Sequence, residues 1–191
     1  MKEIKILHLF PKLLSLYGEY GNVKITEKYL KENGYSVSVT ECEFPEKIDL
    51  TEFDFFYIGS GTEANMIEAS KRLLPKKECI KELVENKKCF LVTGNAIALF
   101  GKTVSMNGKD YAMLSTFDYS TGMYTDKRFS GDILTNDKNI FASKLVGYVN
   151  TSCVYYGIEG GLCELLLGSD LGNDKRSALD GFTVNNFFAT Q

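Results

Sequence analysis

CFLVTGNAIALFGK, Cys89 to Lys102, is the stretch on which the reading of this fold turns. Cys89–Thr93 is a short apolar run that reads as a strand. Gly94 interrupts it, and Asn95–Phe100 reads as the start of a helix. A strand running into a sharp turn and a helix presents a single residue above the end of a sheet. Here that residue is Gly94, which has no side chain, while its neighbour Thr93 would point into the strand. Taken alone, the stretch reads as a glycine-bearing turn.

Upstream, the strand-then-helix rhythm repeats. Ile4–Phe10 is an apolar run expected to form a buried parallel strand. Val23, Ile25, Tyr29 and Leu30 are spaced for a helix over Val23–Lys31, stopped at Asn33-Gly34. Tyr35–Thr40 alternates as a strand, Phe53–Ile58 is a denser one, and Glu63–Leu73 and Lys77–Glu85 read as helices. This β-α-β-β-α-β order predicts an α/β fold: an open, mostly parallel sheet with helices on both faces. Downstream, Lys102–Val149 carries short strand-like pieces and polar turns. A glycine-rich region after Gly157 runs through GNDKRSALDG to a closing strand over Phe182–Ala189. No linker, low-complexity tract or internal repeat interrupts the 191 residues, so one domain over 1–191 is expected.

Composition removes several function classes. The net charge is −3 with acids and bases interspersed, so no basic stripe is present to neutralise a phosphate backbone, and nucleic acid is not an expected partner. MKEIKILHLF has too short an apolar stretch for a signal peptide, and no window is apolar enough for a bilayer span; a cytoplasmic protein without membrane insertion is expected. The five cysteines, Cys42, Cys79, Cys89, Cys153 and Cys163, are scattered without a C-x-x-C pair. They indicate neither a disulfide framework nor a zinc site, so no metal is expected.

Ligands of open α/β sheets bind beyond the carboxyl ends of the strands, so the strand-to-helix junctions are the candidate sites. LFPKLLSLYGEYGN (Leu9–Asn22) combines glycines and aromatics; it reads as a structured loop with Tyr17 and Tyr20 packed on the domain, or as a binding lip. IGSGTEAN (Ile58–Asn65) carries Gly59 and Gly61, which let backbone amides approach a ligand closely, as in an oxyanion-binding turn. It lacks the third glycine of the dinucleotide fingerprint, so no nucleotide cofactor is expected. A tight turn without a ligand is the plainer reading. LVTGNAIALFGK (Leu91–Lys102) is the third junction. The sole histidine, His8, ends the first strand and reads as a packing or hydrogen-bonding residue.

In their order and spacing these stretches resemble the cobyric acid synthase type of class I glutamine amidotransferase, and within it the amidotransferase subunits of lipid II isoglutaminyl synthase. The resemblance is carried by LFPKLLSLYGEYGNV, IGSGTE, GNAIALFG, TFDYSTGMYTDKRFSGDIL, LVGYVNTSCVYYGIEG and GNDKRSALDGFTVNNFFAT, nearly the whole chain. It implies a flavodoxin-like three-layer domain and glutamine hydrolysis. An elbow cysteine would attack the side-chain amide and a histidine with an acidic partner would move protons. Backbone amides would hold the oxyanion, and ammonia would pass to a Mur-ligase-like partner in a heterodimer. Carried across residue by residue, the nucleophile position falls on Gly94, followed by Asn95, Ala96 and Ile97, and Ala98 stands where a glutamine is expected. The family's histidine lies a few residues after the strand that here ends FFATQ, beyond Gln191. Gly59, Ser60, Gly61 and Asn95 match the oxyanion turn, and Arg128 matches an arginine used for substrate handling. Cys89 would sit about one strand length from the elbow, on the order of 15 Å, too far to substitute.

Three functions follow as expectations. The first is a degenerate, catalytically inactive amidotransferase-like subunit that binds or regulates a Mur-ligase-like partner in cell-wall (peptidoglycan) or cobalamin-type amidation. The second is an active amidotransferase whose chain is presented altered or short. The third is a module that binds glutamine or a related small molecule in the former pocket, lined by Tyr17, Tyr20, Tyr119 and Tyr124.

Overall fold

The apolar run at the start of the chain builds β1 (Glu3–Leu9), followed by α1 (Tyr20–Glu32) and β2 (Ser36–Cys42), in a computed structural model that describes residues 3–124, 126, 128–137, 143–158, 161–168 and 179–191. Two 3₁₀ turns, Pro45–Lys47 and Leu50–Glu52, lead into β3 (Phe55–Ile58). Helices α2 (Glu63–Leu73) and α3 (Lys77–Glu85), joined by a 3₁₀ turn at Leu74–Lys76, precede β4 (Cys89–Thr93). These are the elements the sequence predicts, with α1 beginning three residues earlier than its apolar spacing indicates. Gly94–Phe100 forms a 3₁₀ helix rather than an α-helical start.

The chain divides into two compact units, 1–96 with 185–187, and 97–184 with 188–191. The first holds the parallel ladder, in the order β2-β1-β3-β4. Side chains of a strand alternate between faces, and parallel partners share a face. Ile6 and Tyr57 therefore lie on one face, where Val23 of α1 packs on them with Ile4, Leu30, Val37, Val39, Phe55 and Leu91 around the contact. On the other face Leu7, Leu9, Phe56, Ile58, Phe90 and Val92 are all buried. Phe56 and Phe90 stack there with centroids 4.4 Å apart and planes 8° apart, and Phe187 stacks on Phe90 at 5.7 Å. The returning segment reaches β4 through Phe90 N–H donating to Asn186 O at 2.9 Å.

The second unit departs from the expected mostly parallel pattern. Its strands are β5 (Thr103–Met106), β6 (Lys109–Ala112), β7 (Ser120–Met123), β8 (Phe129–Asp137), β9 (Ser143–Thr151), β10 (Cys153–Tyr156), β11 (Cys163–Leu167), β12 (Leu179–Asp180) and β13 (Phe182–Val184). Strands β5 to β12 form two sheets, β10-β7-β5-β6 and β12-β11-β8-β9, in which β5 and β7 are the only parallel pair among the described residues. Asn107-Gly108, both at positive φ, make the two-residue turn between β5 and β6, which suits the twist of a hairpin. The expected single strand over Phe182–Ala189 is instead two, β13 and β14 (Phe187–Thr190), because Asn185 turns the chain at φ 54°, a conformation asparagine tolerates. Most of the glycine-rich GNDKRSALDG stretch lies outside the described residues.

Phe90 is the middle of the aromatic stack and is 1% exposed. Phe90→Ala is expected to lower the unfolding free energy by about 3–5 kcal/mol, read as a shift in the urea midpoint followed by circular dichroism.

Candidate functional site

The strand order decides where a site can form. From β1 the chain moves outward to β2, and from β3 it moves the other way to β4, so the loops leaving β1 and β3 diverge from neighbouring strand ends. A crevice outside such a switch point is the usual ligand position in open α/β sheets. Here it is filled from within.

The loop after β1 places Glu19 at the start of α1, where a carboxylate is favoured by the helix dipole. Glu19 is 5% exposed, and its carboxylate accepts hydrogen bonds from three hydroxyls: Tyr57 of β3, Ser60 of the following turn, and Thr93 at the end of β4 (3.1 Å). The Tyr57 hydroxyl also meets Thr93 Oγ1 at 3.0 Å and accepts from Asn22 Nδ2 at 2.7 Å. Burial, then the adjacent Glu19 carboxylate, pushes the Tyr57 phenol far above its ordinary range, so it stays a neutral donor. The loop is tied to the turn elsewhere: Leu16 N–H donates to Ser60 O at 3.1 Å, and Asn65 Nδ2 to Leu13 O at 2.9 Å.

Gly59, Ser60, Gly61, Gly94 and Asn95 come together at this end of the sheet. The glycines there have no room for a side chain. A Cβ on Gly59 would stand 2.6 Å from Glu19 Cγ. Gly94 has φ +59°, the left-handed conformation of an elbow tip, and a Cβ on it would stand 2.6 Å from Ser60 Cβ and 3.1 Å from Ser60 Oγ. Asn95 clasps the turn with both ends of its amide, Oδ1 accepting from Gly61 N–H at 3.1 Å and Nδ2 donating to Gly61 O at 2.7 Å. The Gly61 N–H therefore already has a partner. Chemically, the arrangement holds a buried acid and its hydroxyl donors but presents no nucleophilic side chain at residue 94.

Arg128 lies in the second unit, just ahead of β8; it is exposed, with Nε donating to Asn150 Oδ1 at 2.9 Å. Tyr17 and Tyr20 do not pack on the domain as expected; they are 58% and 64% exposed, and the residue that turns inward between them is Glu19. A buried polar network captures the acid, and the rings are left outside. Tyr119 is a buried packing residue whose hydroxyl donates to Ile97 O; with Phe117 and Phe182 it walls a cavity of about 270 Å³ in the second unit. Tyr124 is partly exposed and meets the Tyr156 hydroxyl at 2.9 Å. Cys89 opens β4, and burial pushes its thiol up to about 11; burial likewise raises Cys42 and Cys79, so these thiols are poor nucleophiles near neutral pH. Among the described residues no group of three or more His, Cys, Asp or Glu is placed to hold a metal ion, and no helix is long and apolar enough to cross a membrane.

Sequence reading missed Glu19, Tyr57 and Asn22. Glu19 had one available signal: moving the start of α1 back to Tyr20 sets an acid at the helix N-terminus. Tyr57 sits inside an apolar strand, where its hydroxyl gives no periodic signature.

No protein-family model matches the chain. It is 28% identical to a Staphylococcus aureus (strain N315) protein named lipid II isoglutaminyl synthase (glutamine-hydrolyzing) subunit GatD, over all of this chain and 76% of that protein. A Streptococcus pneumoniae (strain ATCC BAA-255 / R6) protein of the same name is 23% identical, over 98% of this chain and 72% of its own length. Among solved structures, a glutamine amidotransferase from Thermotoga maritima aligns with TM-score 0.53 at 13% identity, covering 98% of this chain and 74% of that one. The chain is thus similar along its whole length to glutamine amidotransferase-type proteins.

His8 gives this end of the sheet a pH dependence. It is 2% exposed beside the Tyr57 ring, centroids 5.2 Å apart, and its Nε2 has no partner among the described residues. Burial holds its pKa below the ordinary 6.5, outweighing Glu41, Glu19 and Glu43. Between that lowered value and 6.5 the unfolded chain binds more protons, so the stability contributed by neutral His8 is present above 6.5 and lost as pH falls through the window. His8→Phe is expected to flatten this dependence by at most about 1.4 kcal/mol per pH unit, measured as the difference in urea midpoints between variant and parent across pH 5–8.

Proposed function

We propose that this protein is a non-hydrolysing glutamine amidotransferase-like subunit of the cobyric acid synthase type, the whole chain serving as one flavodoxin-like amidotransferase domain. Its role is to bind and regulate a Mur-ligase-like partner in lipid II or related cell-wall amidation, inside the cell. The observation that carries this reading is the backbone at residue 94. The elbow keeps its left-handed turn, but residue 94 is glycine and Ser60 occupies the volume into which a nucleophile's Cβ would project. Glutamine hydrolysis by this family's route needs a thiolate there, and removing one member of such a catalytic group costs orders of magnitude in rate. The clasp of Asn95 on Gly61 supports the same reading, since the turn's amide is engaged without a ligand. Names of the relatives supply the amidation context and the word subunit supplies the expectation of a partner. Arg128, exposed and oriented by Asn150, is proposed to have kept its place for contact with substrate or partner.

The test is glutamate release from glutamine, by the protein alone and co-expressed with its Mur-ligase-like candidate. No turnover is expected in either setting, and turnover blocked by a thiol-directed glutamine analogue would refute the reading. Gly94→Cys alone is expected to lower stability by about 1–3 kcal/mol, from the left-handed backbone and the clash with Ser60, and to restore no activity.

A further inference from the structure

We propose that β9 is a self-pairing edge through which two copies of this chain associate. Among the described residues β9 stands at the end of its sheet, its backbone ladder formed with β8. Natural edge strands are blunted by proline, charge, a bulge or short length. β9 has none of these along its middle: SKLVGYVNT runs nine residues in unbroken register with β8, without proline, and its one charge is Lys144 near the start.

The outward face of the sheet is apolar where β9 crosses it. Val146, 83% exposed, lies directly opposite Leu134, which in turn lies opposite Leu167, 70% exposed. The other face is the packed one, with Ile133 and Val149 buried together. A protein that stays alone seldom leaves such a ridge beside an open edge.

The sequence of β9 selects a second copy as the occupant. Laid antiparallel on itself about Gly147, the strand sets Val146 against Tyr148 of the second copy, Leu145 against Val149, and Lys144 against Asn150. No charge meets a like charge, and every paired residue keeps its face, because the register shifts by an even number. The arrangement is a two-fold, isologous contact, and it carries the apolar ridge continuously across both sheets.

Sedimentation velocity over a wide concentration range is expected to show a monomer–dimer equilibrium. Val146→Lys should move it to monomer with the far-ultraviolet circular dichroism unchanged. Gly147→Cys provides an independent reading. The Cβ it adds meets only Ile133, at 3.4 Å, and across an antiparallel pair the two Cα atoms would stand about 4.5–5.5 Å apart, within disulfide range. Mild oxidation should then give a disulfide-linked dimer absent from the parent chain treated alike. Lys144→Cys should not, because its two thiols would lie about 20 Å apart along the strands. A parent chain that is monomeric at every concentration, or Gly147→Cys failing to link, would overturn the proposal.

Discussion

The first unit is organised around one buried carboxylate. Glu19 lies at the switch point of the parallel sheet, out of water, and an acid in that position is tolerated only with hydrogen-bond donors around it. Three hydroxyls provide them, from the end of β3, the turn after it and the end of β4. Each of the three elements is thereby fixed relative to the start of α1. The closeness of Gly59 to the Glu19 side chain, and of Gly94 to Ser60, follows from that packing. Both positions are glycine because the carboxylate network has drawn the loops too close for anything larger.

This arrangement also separates geometry from chemistry in the elbow. The turn at residue 94 has a left-handed backbone, of the kind that lifts a side chain above a sheet, and the space above it belongs to Ser60. A turn of this shape is therefore no evidence of a working nucleophile. What decides is the free volume over the tip and whether nearby amides remain open to a ligand.

Much of the first unit was legible in the sequence, since long apolar periods over Glu63–Leu73, Lys77–Glu85 and Cys89–Thr93 match the observed elements residue for residue. The start of α1 was placed late because Tyr20 and Gly21 carry no apolar signal. The second unit was less legible. β9 is exposed along most of its first half and so carries little burial periodicity, and β8 pairs on its other side with β11, a partner that local pattern does not name. The candidate site was half visible. Glycine spacing points to the turns after β3 and β4, whereas the acid, phenol and amide packed there are single polar residues without periodicity.

The reciprocal bond between the Asn95 amide and Gly61 has a bearing on disorder. A turn built on Gly59 and Gly61 would by composition be among the freest segments of the chain, since glycine loses more conformational entropy on ordering than any other residue. The Asn95 side chain mimics one further rung of a strand ladder past the ends of β3 and β4, and it quenches that freedom in the isolated chain. A molecule that rests on this end of the sheet meets a surface already ordered, so the entropic penalty of its binding falls on the newcomer alone.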